Sequence, residues 1–143
     1  MSASVAVRAA RPGDAPTLAR LIDMLGYPVA EADVGHRLAA LCESGLTPLV
    51  AEREGRVVAC LTLSVMSVLH RPQPVGRISM LVVDEESRGG GIGALLVAAA
   101  EMRLREKGCG LVEVTSNMRR TRAHAFYERL GYERTSFRLA KAL

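Results

Sequence analysis

A mixed α/β sandwich is the fold this sequence predicts, and three observations predict it. Apolar runs of strand length alternate with amphipathic helical stretches in the order β-α-α-β-β-β-α-β-α-β. The run Val75 to Val83 leads into Arg88-Gly89-Gly90-Gly91-Ile92-Gly93 and then into the helical stretch Ala94 to Met102, a strand, a glycine turn and a helix start in succession. The chain has 143 residues, 49% of them hydrophobic. That is a one-domain length, and a domain near this size buries roughly 68–70% of its unfolded surface. Residues 1–143 are therefore expected to form a single domain.

Val5-Ala6-Val7-Arg8 reads as the first strand, and Pro12-Gly13-Asp14 as a turn in which Asp14 is placed to cap a helix. Leu18, Leu21, Ile22 and Leu25 then repeat at helical spacing, and Gly26-Tyr27-Pro28 ends that helix. A second helix runs from Glu31 to Ser44 with Val34, Leu38 and Leu41 on its apolar stripe. Leu49 to Glu52 and Val57 to Leu63 are strands joined by a tight turn at Glu54-Gly55. His70 to Pro74 is a loop, broken by two prolines, and Val75 to Val83 is the strand that feeds the glycines. The third helix sets Ile92, Leu95, Leu96, Ala99 and Met102 on one face and stops at Gly108 and Gly110. A strand over 111–115, a helix over 119–130 and a last strand over 133–141 complete the order. No repeat, linker or low-complexity segment interrupts it.

Composition narrows the function classes. Aromatic residues make up 3% and there is no Trp, which argues against base-stacking platforms for single-stranded nucleic acid. The net charge is +4, and part of the excess sits by the glycines and in Arg119, Arg120 and Arg122, which suits a phosphate-attracting rim. No nucleic-acid motif accompanies it. Cys42, Cys60 and Cys109 are odd in number, scattered and without metal-ligand spacing, so they read as reduced thiols and no metal is expected. Cys60 lies in an apolar run and reads as core. No apolar run reaches membrane-spanning length and no signal-type segment opens the chain, so a cytoplasmic location is expected.

The glycine run is where chemistry shows. Glycines reach backbone angles closed to other residues and keep side chains out of a ligand's way. The first amides of the following helix point at an anion, aided by the helix dipole, and Arg88 adds a forked cation. A phosphorylated ligand is implied. No lysine follows the glycines, so this is not a nucleoside-triphosphate P-loop. Gly89, Gly91 and Ala94 fit the dinucleotide fingerprint only when forced, and the run lies late in the chain rather than at a domain's start. Arg-x-x-Gly-x-Gly, carried by Arg88, Gly91 and Gly93, fits better.

That pattern resembles the coenzyme A pyrophosphate loop of the GNAT family of N-acetyltransferases. A second segment, Ala123-His124-Ala125-Phe126-Tyr127-Glu128-Arg129-Leu130-Gly131-Tyr132, looks like the family's other signature and follows at suitable distance. The resemblance covers residues 75 to 143 closely and the first half in pattern. It implies the GNAT fold, a mixed, mostly antiparallel sheet flanked by about four helices, and acetyl-CoA as cosubstrate. It implies that Arg88, Gly89, Gly90, Gly91, Ile92 and Gly93 hold the pyrophosphate. The main chain of Leu81, Val82 and Val83 would pair with the pantetheine arm, Ala123 and Tyr127 would lie against the coenzyme, and Tyr127 would protonate the leaving thiolate. Many relatives carry Asn seven residues before that tyrosine. Here the position is Arg120, with Asn117 three residues earlier, and either could contact the coenzyme arm.

No base stands where many relatives have a Glu, since the matching positions are Ser79 and Met80. Glu113 is the candidate base. Asp84, Glu85 and His70 are weaker ones, and a water relay or an already neutral amine would need none. Within the family the C-terminal half is most similar to aminoalkylphosphonate N-acetyltransferases, through Leu69-His70, Leu81-Val82-Val83, Ala123 to Tyr127 and Ser136 to Leu143. That similarity implies a small anionic amine as acceptor, with Arg71, Arg77 or Arg138 as candidate anion contacts. The resemblance thus implies acetyl transfer to a primary amine of a small molecule by direct attack on the thioester. A non-catalytic acetyl-CoA sensor or interaction module and a protein N-acetyltransferase are the alternatives. Homodimers are common in the family, and an apolar C-terminal strand could pair across two copies.

Overall fold

The computed structural model describes residues 4–116 and 120–143. Its period-two apolar runs become the strands of one sheet: β1 (Val5–Ala9), β2 (Leu49–Arg53), β3 (Arg56–Met66), β4 (Val75–Val83) and β5 (Leu111–Val114). They lie side by side in sequence order. β1 to β4 pair antiparallel, and β5 joins β4 parallel. The β2–β3 turn needs two positive φ angles, supplied by Glu54 at 53° and Gly55 at 76°.

Strand alternation sends side chains to two cores. On one face Ala51, Ala59, Leu61 and Ile78 pack with Ile92, Leu96, Ala100 and Leu104 of α3 (Ile92–Glu106) and Tyr127 of α4 (Thr121–Arg129). On the other, Val50, Cys60 and Val82 pack with Leu18 and Leu21 of α1 (Ala15–Met24) and Val34 and Leu38 of α2 (Glu31–Glu43). The mixed, mostly antiparallel sheet with two helices against each face is the expected fold. Among the described residues no helix is long and apolar enough to cross a membrane.

Three local expectations need correction. Asp14 precedes α1 but makes no side-chain cap to it; its carboxylate is taken by Arg8 at 2.8 Å and by the Arg11 amide at 2.7 Å. The buried stripe of α3 is Ile92, Leu96, Val97, Ala100 and Leu104, whereas Leu95 and Met102 are 43% and 61% exposed. The alanines of this helix leave it apolar around most of its circumference, so periodicity alone does not select the face. Last, no strand forms over 133–141, and Phe137 and Leu139 are exposed. The segment has strand-like alternation, but a strand exists only through a ladder with a partner edge, and it makes none among the described residues.

Where β4 and β5 part positions the site. They pair only from Val75 opposite Leu111 to Ile78 opposite Val114. Among the described residues β4 then runs on to Val83 paired with β3 alone, Val82 opposite Cys60 and Val83 opposite Ala59. At the point of parting the β3–β4 register slips: Thr62 opposes Met80 and Leu63 opposes Ile78, which leaves Ser79 as a bulge.

Candidate functional site

The open edge of β4 leads into the glycine loop. After Val83, Asp84 starts a single 3-10 turn over Glu85–Ser87, accepting the Glu86 amide at 3.4 Å. Ser87 is buried, and its hydroxyl accepts from Arg53 at 2.8 Å, which ties the turn to β2. Arg88 is exposed and donates through Nε to the Val83 carbonyl at 3.1 Å. Gly89 and Gly91 have φ of 84° and 81°, the left-handed region that a side chain makes costly. Gly91 is the N-cap of α3, so the loop ends on that helix's first free amides. Gly93 is needed for closeness instead: a Cβ there would sit 3.2 Å from the Phe126 ring. The loop thus presents amides, a helix N-terminus and Arg88 around open space, which fits a pyrophosphate.

Beside it, the parting strands leave a cavity of about 130 Å³ between β4, β5 and α4. Ser79, Leu81, Val114, Arg120, Ala123 and Tyr127 are among its walls. Tyr127 is 8% exposed, and its ring meets Phe126 and Tyr132 edge-on at 5.1 and 5.7 Å. Burial pushes its phenol above the usual tyrosine range against the opposing charge of Arg120. A phenol so placed stays protonated at neutral pH and is a proton donor. Arg120 donates to the Leu25 carbonyl at 3.1 Å, which joins the start of α4 to the end of α1, and both residues line the cavity. Asn117 lies outside the described residues.

A second, larger cavity of about 600 Å³ lies under α1 and α2. It shares Tyr27 and Met80 with the first, and Thr62 on its wall hydrogen-bonds Ser79 of the first at 2.8 Å between hydroxyls. The two spaces are continuous in their walls at the β4 bulge. Cys60 also lines the larger one, but burial pushes its thiol up to about 12, so it is no thiolate nucleophile.

The expected residues divide cleanly. Arg88 to Gly93, Leu81 to Val83, Arg120, Ala123 and Tyr127 fall along one continuous run of loop, strand edge and cavity. Glu113 does not join them. Its carboxylate takes Arg77 Nε at 2.8 Å across the β4–β5 pair, and it lines neither cavity. An ion-paired carboxylate away from the cleft is not poised as a base. Burial pushes the Asp84 carboxyl up, but hydrogen bonds from Arg20 and the Glu86 amide outweigh this and hold it below the usual range. Glu85 belongs to the 3-10 turn, and His70 is exposed in the β3–β4 connection. Of the candidate anion contacts, Arg77 is paired with Glu113, and Arg71 and Arg138 line neither cavity.

The sequence reading did not single out Thr62 with Ser79, or Tyr27 and Val29 on the larger cavity. A serine inside the apolar run Ile78 to Val83 is the one local signal for the bulge.

The description "Acetyltransferase (GNAT) family" belongs to the family model that matches residues 19–132. Over 94 residues the chain is 42% identical to an aminoalkylphosphonate N-acetyltransferase of Salmonella typhimurium, a match covering 66% of this chain and 61% of that protein. The aligned part therefore spans less than two thirds of that relative. An uncharacterized N-acetyltransferase of Chlorobaculum tepidum is 31% identical over 132 residues, covering 92% of this chain and 77% of that one. Among solved structures, an aminoglycoside N-acetyltransferase in complex with CoA superposes with a TM-score of 0.86 at 17% identity, covering 100% of this chain and 97% of that one, which shows a shared fold.

Proposed function

The chain belongs to the acetyltransferase (GNAT) family, and from that premise we propose that residues 1–143 form one N-acetyltransferase domain that moves the acetyl group of acetyl-CoA to a primary amine of a small molecule. One observation carries the reading: β4 loses its β5 neighbour after Ile78 and runs, edge open, into a glycine loop that ends on a helix N-terminus. An open strand edge offers alternating amides and carbonyls to an extended amide-bearing arm. The loop offers a cation and helix amides to the phosphates at the arm's end. Acetyl-CoA has both features in that order, and it supplies an activated acyl carbon on a thiol leaving group.

The chain's residues then divide the work. The main chain of Leu81, Val82 and Val83 holds the arm, and an amide of that edge donates to the thioester carbonyl as negative charge grows on its oxygen. Arg88, Gly89, Gly90, Gly91, Ile92 and Gly93 hold the pyrophosphate. Ala123 gives α4 a small face toward the arm, and Arg120 joins α4 to α1 through the Leu25 carbonyl. The ammonium first gives a proton to water at the Thr62–Ser79 hydroxyl pair, and the neutral amine then attacks from the side of Ser79 and Thr62. As its nitrogen bonds to the acetyl carbon, the carbon–sulfur bond breaks, and Tyr127 gives its phenolic proton to the sulfur. The attacking nitrogen sheds its extra proton to water at the Thr62–Ser79 hydroxyl pair, and the tyrosinate is reprotonated from solvent. Transfer is direct: burial raises the Cys60 pKa and holds this residue of the larger cavity's wall in its thiol form. No carboxylate base is assigned. A cytoplasmic location suits an acetyl-CoA enzyme whose Cys42, Cys60 and Cys109 are unpaired.

Thiol release from acetyl-CoA, followed across alkylamines, aminoalkylphosphonates, a polyamine, an aminoglycoside and a short peptide, tests the reading. Release with a class of small amines, and none with the peptide, is expected. Tight acetyl-CoA binding with no release from any of them would contradict transfer.

A further inference from the structure

We infer that the larger cavity is an acceptor site for primary amines carried on an apolar body of about six or more carbons. The inference rests on the acetyl-transfer reading and names the substrate class of that site. Cavities of ~300–1,000 Å³ hold drug-sized ligands, and this one measures about 600 Å³. Its walls are apolar: Leu18 and Ile22 from α1, Val29 from the connection, Val34 and Leu38 from α2, and Met80 from β4. An amine of two carbons would leave that wall hydrated.

Charge points the same way. Among the described residues the only ionisable carboxylate and cation on the wall are Asp33 and Arg37, four residues apart on one face of α2, so their fields offset. A small anionic acceptor needs converging cations, and the wall has one, beside a carboxylate. Arg77 is already committed to Glu113. Orientation follows from the shared wall. Met80 lines both cavities and Thr62 of the larger one hydrogen-bonds Ser79 of the coenzyme-side one, so the amine end meets the Thr62–Ser79 hydroxyl pair while the apolar body lies beneath α1 and α2.

The test is kcat/KM for thiol release by the full chain with butylamine, hexylamine, octylamine, phenethylamine and 2-aminoethylphosphonate. Each methylene buried should raise kcat/KM roughly fourfold, so hexylamine should exceed butylamine by roughly sixteenfold and 2-aminoethylphosphonate by more. A flat alkyl series, or 2-aminoethylphosphonate as the best acceptor, would overturn the inference while leaving acetyl transfer intact. Calorimetric binding of hexylamine adds a readout that needs no turnover. Ala30 is exposed on the same wall, at the start of α2. Ala30→Trp should obstruct part of the cavity and weaken hexylamine at least tenfold with acetyl-CoA affinity unchanged. Equal hexylamine affinity in both proteins, or no binding to either, would overturn the inference. Binding lost in Ala30→Trp, with no thiol release from any amine, would uphold the cavity's ligand class and sink the transfer reading.

Discussion

The two cavities that meet at Met80 are built of different material. On the coenzyme side the proposed recognition is by main chain: the open edge of β4 along the smaller cavity, then the glycine loop and the first amides of α3 beyond it. On the acceptor side it is by apolar side chains from α1, α2 and the connection between them. Main-chain recognition demands particular backbone angles, hence particular residues. Side-chain recognition demands only shape and polarity, which many sequences supply. The first kind of site tolerates little change and reads one cosubstrate. The second can change its ligand with a few substitutions while the catalytic edge stays as it is.

The sharpest way to break this contrast is Gly91→Glu. The residue has φ of 81° at the N-cap of α3, so a side chain is strained there, and a carboxylate would oppose the pyrophosphate. Acetyl-CoA affinity measured by calorimetry should fall at least ~100-fold, about two decades or 2.7 kcal/mol. Affinity within threefold of wild type would remove the loop from coenzyme binding.

Tyr127→Phe comes next. Proton donation is worth roughly 10²–10⁴-fold, so kcat should drop by that range while acetyl-CoA binds as before. Burial raises the Tyr127 pKa, so the donating form persists as pH rises. The wild-type rate should therefore hold through the alkaline range until above the ordinary tyrosine value of about 10. Undiminished turnover in the variant, or an alkaline fall centred well below that value, would assign the proton to another group.

On stability, Leu96→Ala should cost about 2–5 kcal/mol in denaturant unfolding, because Leu96 is fully buried against the sheet. Leu95→Ala, one residue away and 43% exposed, should cost less than about 1 kcal/mol. Equal losses would show that α3 is rotated from the face described.

The smallest effect belongs to Glu113→Gln. Its pair with Arg77 is 37% exposed on both sides, a class of ion pair worth about 0–1 kcal/mol. Turnover should stay within twofold. A fall of ~100-fold would restore Glu113 as the base.

The same contrast explains what was legible in the sequence. Strands β1 to β5, the Glu54-Gly55 turn and the glycine loop were readable because each rests on local rules, alternation or a positive φ that names its residue. Arg88 was readable as a cation beside the glycines, whereas the role of Tyr127 came from family resemblance rather than from spacing. Ser79 and Thr62 were not readable as a pair, because a bulge is a property of two strands in register. The larger cavity was invisible for a similar reason: Tyr27, Val29 and Leu38 come together only when α1 and α2 fold back over β3 and β4. Ile92 and Leu96 of the expected α3 stripe are buried and Ala99 packs against the core, but Leu95 and Met102 were misplaced because alanines dilute the period, and 133–141 looked like a strand because alternation carries no information about a partner edge.

Amide hydrogen exchange with and without CoA tests the central claim most directly, since that claim is about main chain. CoA should slow exchange about tenfold or more within Leu81 to Val83 and within Gly89 to Gly93, with β1 and β2 unchanged. Binding of CoA without added protection in either stretch, or with protection confined to α1 and α2, would contradict it.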